Sequence, residues 1–309
     1  MANTNTATKT INYSRLKNTS ENYIFIIPAV IIFSIFYIYP FIDIIILSLH
    51  EWKGIGPKTF VGLQNFKELM GDKIWWKSIW NATYITLWAL TFQNVLAFML
   101  ALACDREIRF KKFYRVVFFI PPVLSQVVVG LIWRWILYAG TQDGQQIGLL
   151  NYYLDYVGLN HLTNNWLSNP KTALTSIAIV HCWQGFGWGF IMLLAGLQTI
   201  DKQLYESAKV DGANNWSTFW NVTIPMMVPV ILVVVILTVL GAMQAFILVL
   251  SMVSQGLVYH TEVPVTRILA AMQGTKQFGY ACAMGINFAM ILISVSAVMK
   301  MVSNKAQQA

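Results

Sequence analysis

The chain has 309 residues, of which 57% are apolar and 11% charged, with a formal net charge of +8 at pH 7. A soluble domain carries about a quarter charged residues, so this inventory excludes one whose whole surface faces water. The basic residues are scattered through loops rather than gathered on one face, which excludes a nucleic-acid binder and points to membrane orientation.

Residues 1–22 are polar and read as a short tail. The first apolar stretch, Tyr23–Leu49, is too long for a signal-peptide core and has no small-residue cleavage site after it, so it is expected to remain as a span. Crossing the hydrocarbon core takes roughly 20 helical residues. Five more stretches meet that requirement: Ile79–Cys104, Phe113–Tyr138, Ala173–Leu197, Pro225–Val253 and Gly279–Val302. Residues 23–302 therefore read as one six-helix transmembrane domain, followed by a short tail at 303–309. In the first long loop, Phe60, Leu63, Phe66 and Met70 recur at helical spacing. With Trp75, Trp76 and Trp80 they predict a helix lying at the interface, with its aromatics at headgroup depth. Pro28, Pro40, Pro121, Pro122 and Pro229 fall inside spans and imply kinks.

Six spans put both termini on one side, together with segments 104–115 and 198–224. That side holds twelve of the 21 lysines and arginines, against eight in the longer loops opposite and Arg134 within the third span. The bias predicts cytoplasmic termini. The sequence contains no G-x-x-x-x-G-K-[ST], so ATP hydrolysis is expected elsewhere. Cys104, Cys182 and Cys282 lack ligand spacing, and the four histidines are far apart, so neither a metal nor a catalytic site is expected. Asp43 is the one carboxylate well inside a proposed span, which disfavours a proton-driven carrier.

Between the fourth and fifth spans lies a segment, 199–225, much longer than a connection requires. Asp201 can cap a helix starting at Lys202, and Gly212 is placed to end it. Leu204, Ala208 and Gly212 form a narrow face of shrinking side chains, flanked by Glu206 and Asp211. Glu206-Ser207-Ala208, Gly212 four residues after Ala208, and Val222-Thr223-Ile224-Pro225 resemble the EAA loop of membrane subunits of binding-protein-dependent ABC importers. Ser207 replaces the first alanine, while Asp211-Gly212-Ala213 fits the sugar-importing branch. PAVIIFSIFYIYP in the first span, FVGLQNF, Phe118–Pro121, GLIWRW and WLSNPKTA extend the resemblance to maltose- and glycerol-phosphate-type permeases over residues 24–302.

The resemblance implies an all-α integral membrane protein with the six-helix type I importer permease fold, multi-pass in the bacterial cytoplasmic membrane. Its implied partners are a paralogous second permease, a dimer of ABC ATPases holding ATP and Mg, and an extracytoplasmic sugar-binding protein; no cofactor is implied on this chain. Glu206, Ser207, Ala208, Asp211, Gly212 and Ala213 would couple to the ATPase. Sugars favour aromatic faces and amides, which makes Gln184 and Asn287 candidates for the path, and the resemblance implies that Gly185, Trp188, Thr238 and Gln244 fall near where maltose-type permeases line their pocket. Gln184 and Asn287 could equally join helices. The rival reading is a secondary transporter or channel for small polar solutes, working without an ATPase.

Overall fold

The computed structural model describes residues 26–106, 109–142, 145–146, 148–253 and 258–308. The polar tail 1–22 and the first residues of the first predicted span lie outside them. Five helices are long and apolar enough to cross a membrane: Ile26–Ser48, Lys73–Asp105, Ala173–Leu197, Asn215–Met243 and Phe278–Lys305. Lys111–Val123 and Gln126–Ile136, bent by 92° at their junction, make a sixth crossing as a broken span. The six-span reading holds with that qualification.

Several bounds move, each for a physical reason. The second span starts at Lys73 rather than Ile79, because Asp72 caps it by accepting from the Ile74 and Trp75 amides at 2.8 and 3.1 Å. The interfacial helix is consequently only Gln64–Gly71. Trp75 is wholly buried within the chain rather than on its surface, whereas Trp76 and Trp80 stay exposed. The fifth span begins ten residues early, at Asn215, and stops at Met243. Its expected continuation is a separate short helix, Ile247–Met252. That helix packs along Gln126–Ile136, where a side chain at Gly130 would collide with Ser251. The last helix runs without a break to Gln308, through the expected tail.

Prolines act in three ways. Pro121 and Pro122 sit just before the 92° break. Pro40 and Pro225 each follow a π turn, at Ser34–Ile38 and Phe219–Thr223. A proline clashes with the carbonyl four residues earlier, and in both cases that residue lies within the π turn, where the wider register makes room. Pro229 is carried inside the fifth span without a break.

The fourth span is the hub. Gly185 lies against Gln93 of the second span, Gly187 against Phe118 and Pro122 of the third, and Gly189 against Ala97 and Val234 of the second and fifth. The missing side chains let three helices approach one, as packing in lipid requires. Two apolar clusters result. One, around Trp75, Ile85, Ile177, Met252 and Met284, lies toward the loops 49–72, 137–172 and 244–277, here called the long-loop face. The other, around Ala97, Phe190, Leu193 and Met227, lies toward the short-loop face. The first span joins neither; it rests on the sixth and exposes isoleucines on nearly every side.

At the long-loop face Asp72 ties the second span to the sixth and to the short helix Pro264–Gln273. Its Oδ2 accepts from the Tyr280 hydroxyl at 2.9 Å and lies 3.7 Å from the Arg267 guanidinium. Burial alone would raise its pKa, but the Trp75 and Ile74 amides, Tyr280 and Arg267 together hold it below the usual carboxylate value. A depressed carboxylate contributes stability that is present above its unfolded pKa and lost as pH falls through its folded one. Thermal unfolding in detergent should therefore show Asp72→Asn less stable than wild type at neutral pH. The gap should close as acid protonates Asp72; a gap independent of pH would contradict this account.

Candidate functional site

Two regions stand out. The first is the helix Lys202–Val210 on the short-loop face. At nine residues it is too short to persist on propensity alone, so its ends must hold it. The Asp201 side chain accepts from the Gln203 amide at 2.9 Å. At the other end Gly212, at φ +80°, closes a Schellman motif, with Ala213 N–H donating to Ala208 O and Gly212 N–H to Lys209 O. Nothing lies within 4 Å of where a Gly212 Cβ would stand, so conformation rather than space demands glycine there. Asn214 caps the next helix by accepting from Ser217 N–H, and Tyr205 pairs with Thr223 at 3.3 Å.

None of the helix's own residues is buried. Glu206, Ser207, Asp211 and Gly212 are exposed, and Ala208 and Ala213 half-buried. Val210 is 87% exposed, far more than an apolar side chain needs to be in a finished surface. This is a rigid projection with an apolar edge and a carboxylate, fixed at both ends.

The second candidate region is a set of exposed residues on the third, fourth and fifth spans. Trp188 is 59% exposed and meets Phe119 edge to face at 5.7 Å. Ser125 and Gln126 are exposed at the break of the third span. At the end of the fifth, Gln244 is exposed, one turn beyond Gly241, which faces open space. Aromatic and amide groups thus stand on open surface within otherwise apolar helices.

The remaining candidates for the path have partners inside the chain. Gln184 donates to the Leu124 carbonyl at 3.1 Å, a group freed by the break. Thr238 donates to Asn94 Oδ1 at 3.1 Å, Gly185 packs on Gln93, and Asn287 Oδ1 accepts from the Trp75 indole at 3.0 Å. Of the six, Trp188 and Gln244 are exposed, and the other four are engaged within the chain.

Sequence reading missed Phe119, Ser125, Gln126, Gln93 and Asn94. The Pro121-Pro122 pair could have located the break. Nothing local marked the third π turn, Ala89–Gln93, which precedes no proline and delivers Gln93 and Asn94 among the second, fourth and fifth spans.

Comparison with known proteins agrees with this architecture. The family described as binding-protein-dependent transport system inner membrane component matches residues 93–308. The probable ABC transporter permease protein YurN of Bacillus subtilis is 30% identical, over 89% of this chain and 92% of its own. The diacetylchitobiose uptake system permease protein NgcF of Streptomyces coelicolor is 31% identical, over 88% and 79%. A chain of the bacterial alginate ABC transporter, solved in complex with alginate pentasaccharide-bound periplasmic protein, superposes with a TM-score of 0.81. That match covers 96% of this chain and 99% of the other at 23% identity.

The division between open and engaged residues is testable by stability. Asn287→Leu strands the Trp75 indole donor and should cost roughly 1–3 kcal/mol. Trp188→Ala, on an exposed face, should stay within about 0.5 kcal/mol of wild type. Denaturation of the purified variants in one detergent checks both; the reverse ranking would mean that the two roles are exchanged.

Proposed function

This chain belongs to the family of binding-protein-dependent transport system inner membrane components, and we propose that it forms half of the membrane path of an ATP-driven sugar importer. The observation that carries the reading is the Lys202–Val210 helix, capped at both ends yet burying none of its own residues. A chain working alone has no use for so costly an exposed element, whereas a lever needs one. Glu206 would pair with a basic residue of an ATPase, Val210 and Leu204 would enter its cleft, and Gly212 would turn the chain sharply back into the membrane.

The cargo class follows from the relatives together with the open face. One relative takes up diacetylchitobiose, and the alginate transporter of like fold is bound to a protein carrying an oligosaccharide. Trp188 with Phe119 offers aromatic faces for sugar C–H surfaces, and Gln244 and Gln126 offer amides for hydroxyls. We read the cargo as an oligosaccharide. A second, paralogous permease would complete the path, and an extracytoplasmic binding protein would deliver cargo to the long-loop face.

The distribution of lysine and arginine supports cytoplasmic termini in the bacterial inner membrane, which places the exposed helix where an ATPase can reach it. ATP and magnesium would reside on the two ATPases, and this chain would supply path and lever. Closure of the ATPases would draw the paired levers together, and the tightly packed fourth span would pass the motion to the bend of the third. Cargo and nucleotide act on transport only insofar as each prefers one of the two path conformations.

Purification of the tagged chain from its native membrane tests the partnership. Wild type should carry with it an ATPase and a second permease. Glu206→Ala, which removes a charge-assisted contact, should lower recovered ATPase about tenfold, and Gly212→Val should do at least as much. Chain recovered alone from wild type, still transporting without ATP, would overturn the reading in favour of a secondary transporter.

A further inference from the structure

Glu262 lies outside the membrane path, in the segment that leads from the fifth span to the sixth at the long-loop face. It is 4% exposed, and neither of its carboxylate oxygens has a hydrogen-bond partner among the described residues. Its surroundings hold one cation and one other carboxylate. Arg267, on the following helix Pro264–Gln273, turns its guanidinium to Asp72 at 3.7 Å. Asp72 is further held by Tyr280 of the sixth span and by the amides that begin the second. Arg267 and Asp72 are the charged groups acting on Glu262 among the described residues; they act in opposite senses, and the cation is already engaged by Asp72. An ionised Glu262 would be an uncompensated buried charge, which costs several kcal/mol and is ordinarily relieved by neutralisation.

A second count leads to the same place. Asn81 of the second span is fully buried and donates from Nδ2 to the backbone carbonyls of His260 and Glu262, at 3.2 and 2.8 Å. Its Oδ1 is left without a donor. Asn81 Oδ1, Glu262 Oε1 and Glu262 Oε2 are therefore three acceptors lacking a donor in one buried neighbourhood, joined by a side chain that already grips the Glu262 backbone. A carboxylic acid is a donor as well as an acceptor, and one added proton turns this set of acceptors into a pair. Arg267 Nε is likewise buried and unpartnered.

We propose that Glu262 is a proton-binding site: docking of residues 258–273 onto the second span takes up one proton from water, forming the Glu262 O–H that Asn81 Oδ1 accepts, and undocking returns that proton to water. The long-loop face then carries a latch set by the pH of the medium it meets. Burial raises the Glu262 pKa, Arg267 lowers it in part and Asp72 raises it further, with a net upward shift. A carboxyl with a raised pKa favours the docked state below its exposed value and stops doing so as pH rises through its buried one. Alkaline conditions should therefore loosen the latch.

The test is infrared spectroscopy of the full chain in lipid nanodiscs, comparing wild type with Glu262→Gln. At neutral pH the wild type should show the C=O band of a neutral carboxylic acid, shifted in heavy water and missing in the variant. The band should disappear as pH is raised. Thermal midpoints of the two proteins should coincide at acid pH and separate at alkaline pH, with wild type the less stable. A wild type without that band at neutral pH, or midpoints that run parallel throughout, would overturn the proposal. Should Glu262→Gln fail to fold, the pH titration of the wild-type band decides alone: a band present and then lost upholds the site, and no band refutes it.

Discussion

Hydrocarbon offers no hydrogen bonds, so the backbone groups of the spans, and most of their buried side-chain polar groups, are paired inside the chain. Most of this architecture follows from that constraint. The third span breaks after Pro121 and Pro122, and Gln184 of the fourth span reaches over to satisfy the carbonyl of Leu124. Thr238 meets Asn94 across the second and fifth spans, and Asn287 meets Trp75 across the sixth and second. Each bond needs helices close together, and the glycines of the fourth span permit the approach. Polarity that a core would ordinarily reject here fixes the relative positions of five spans.

Where the constraint is relaxed, function is concentrated. The Lys202–Val210 helix satisfies its own ends with Asp201 and the Gly212 turn, rests on the domain through half-buried Tyr205 and Ala208, and leaves its other side chains exposed. Trp188, Gln126 and Gln244 expose an indole and two amides on helices that are otherwise apolar. A packed hub between an exposed helix and exposed polar groups is the arrangement that the proposed transmission of motion requires, and each surface makes sense once something else covers it. Being bare costs stability when the chain is alone, so assembly and function are linked through the same residues.

Much of this was legible from the residues. Six apolar stretches gave the spans, because length and hydropathy are what a bilayer selects. Asp201 and Gly212 gave both ends of the exposed helix, since a cap and a left-handed glycine are local requirements. The rest depended on partners distant in sequence. Nothing near Trp75 says that Asn287, 212 residues later, will bury it. Nothing near Gln184 says that its amide is taken by a carbonyl freed at a break 60 residues earlier. The π turn at Ala89–Gln93 left no mark because no proline demanded it. Polar residues in apolar helices could be picked out, but which were open to a ligand and which closed on a neighbour is a property of the packing.

The account stands or falls on whether this chain moves cargo only when driven. The direct measurement is uptake of a labelled oligosaccharide into proteoliposomes containing the purified assembly and its binding protein, with ATP enclosed inside or omitted. Uptake that requires both the associated ATPase and enclosed ATP, and that stops when the nucleotide is exhausted, is what a path-and-lever subunit predicts. Uptake that proceeds down a gradient without nucleotide would contradict it.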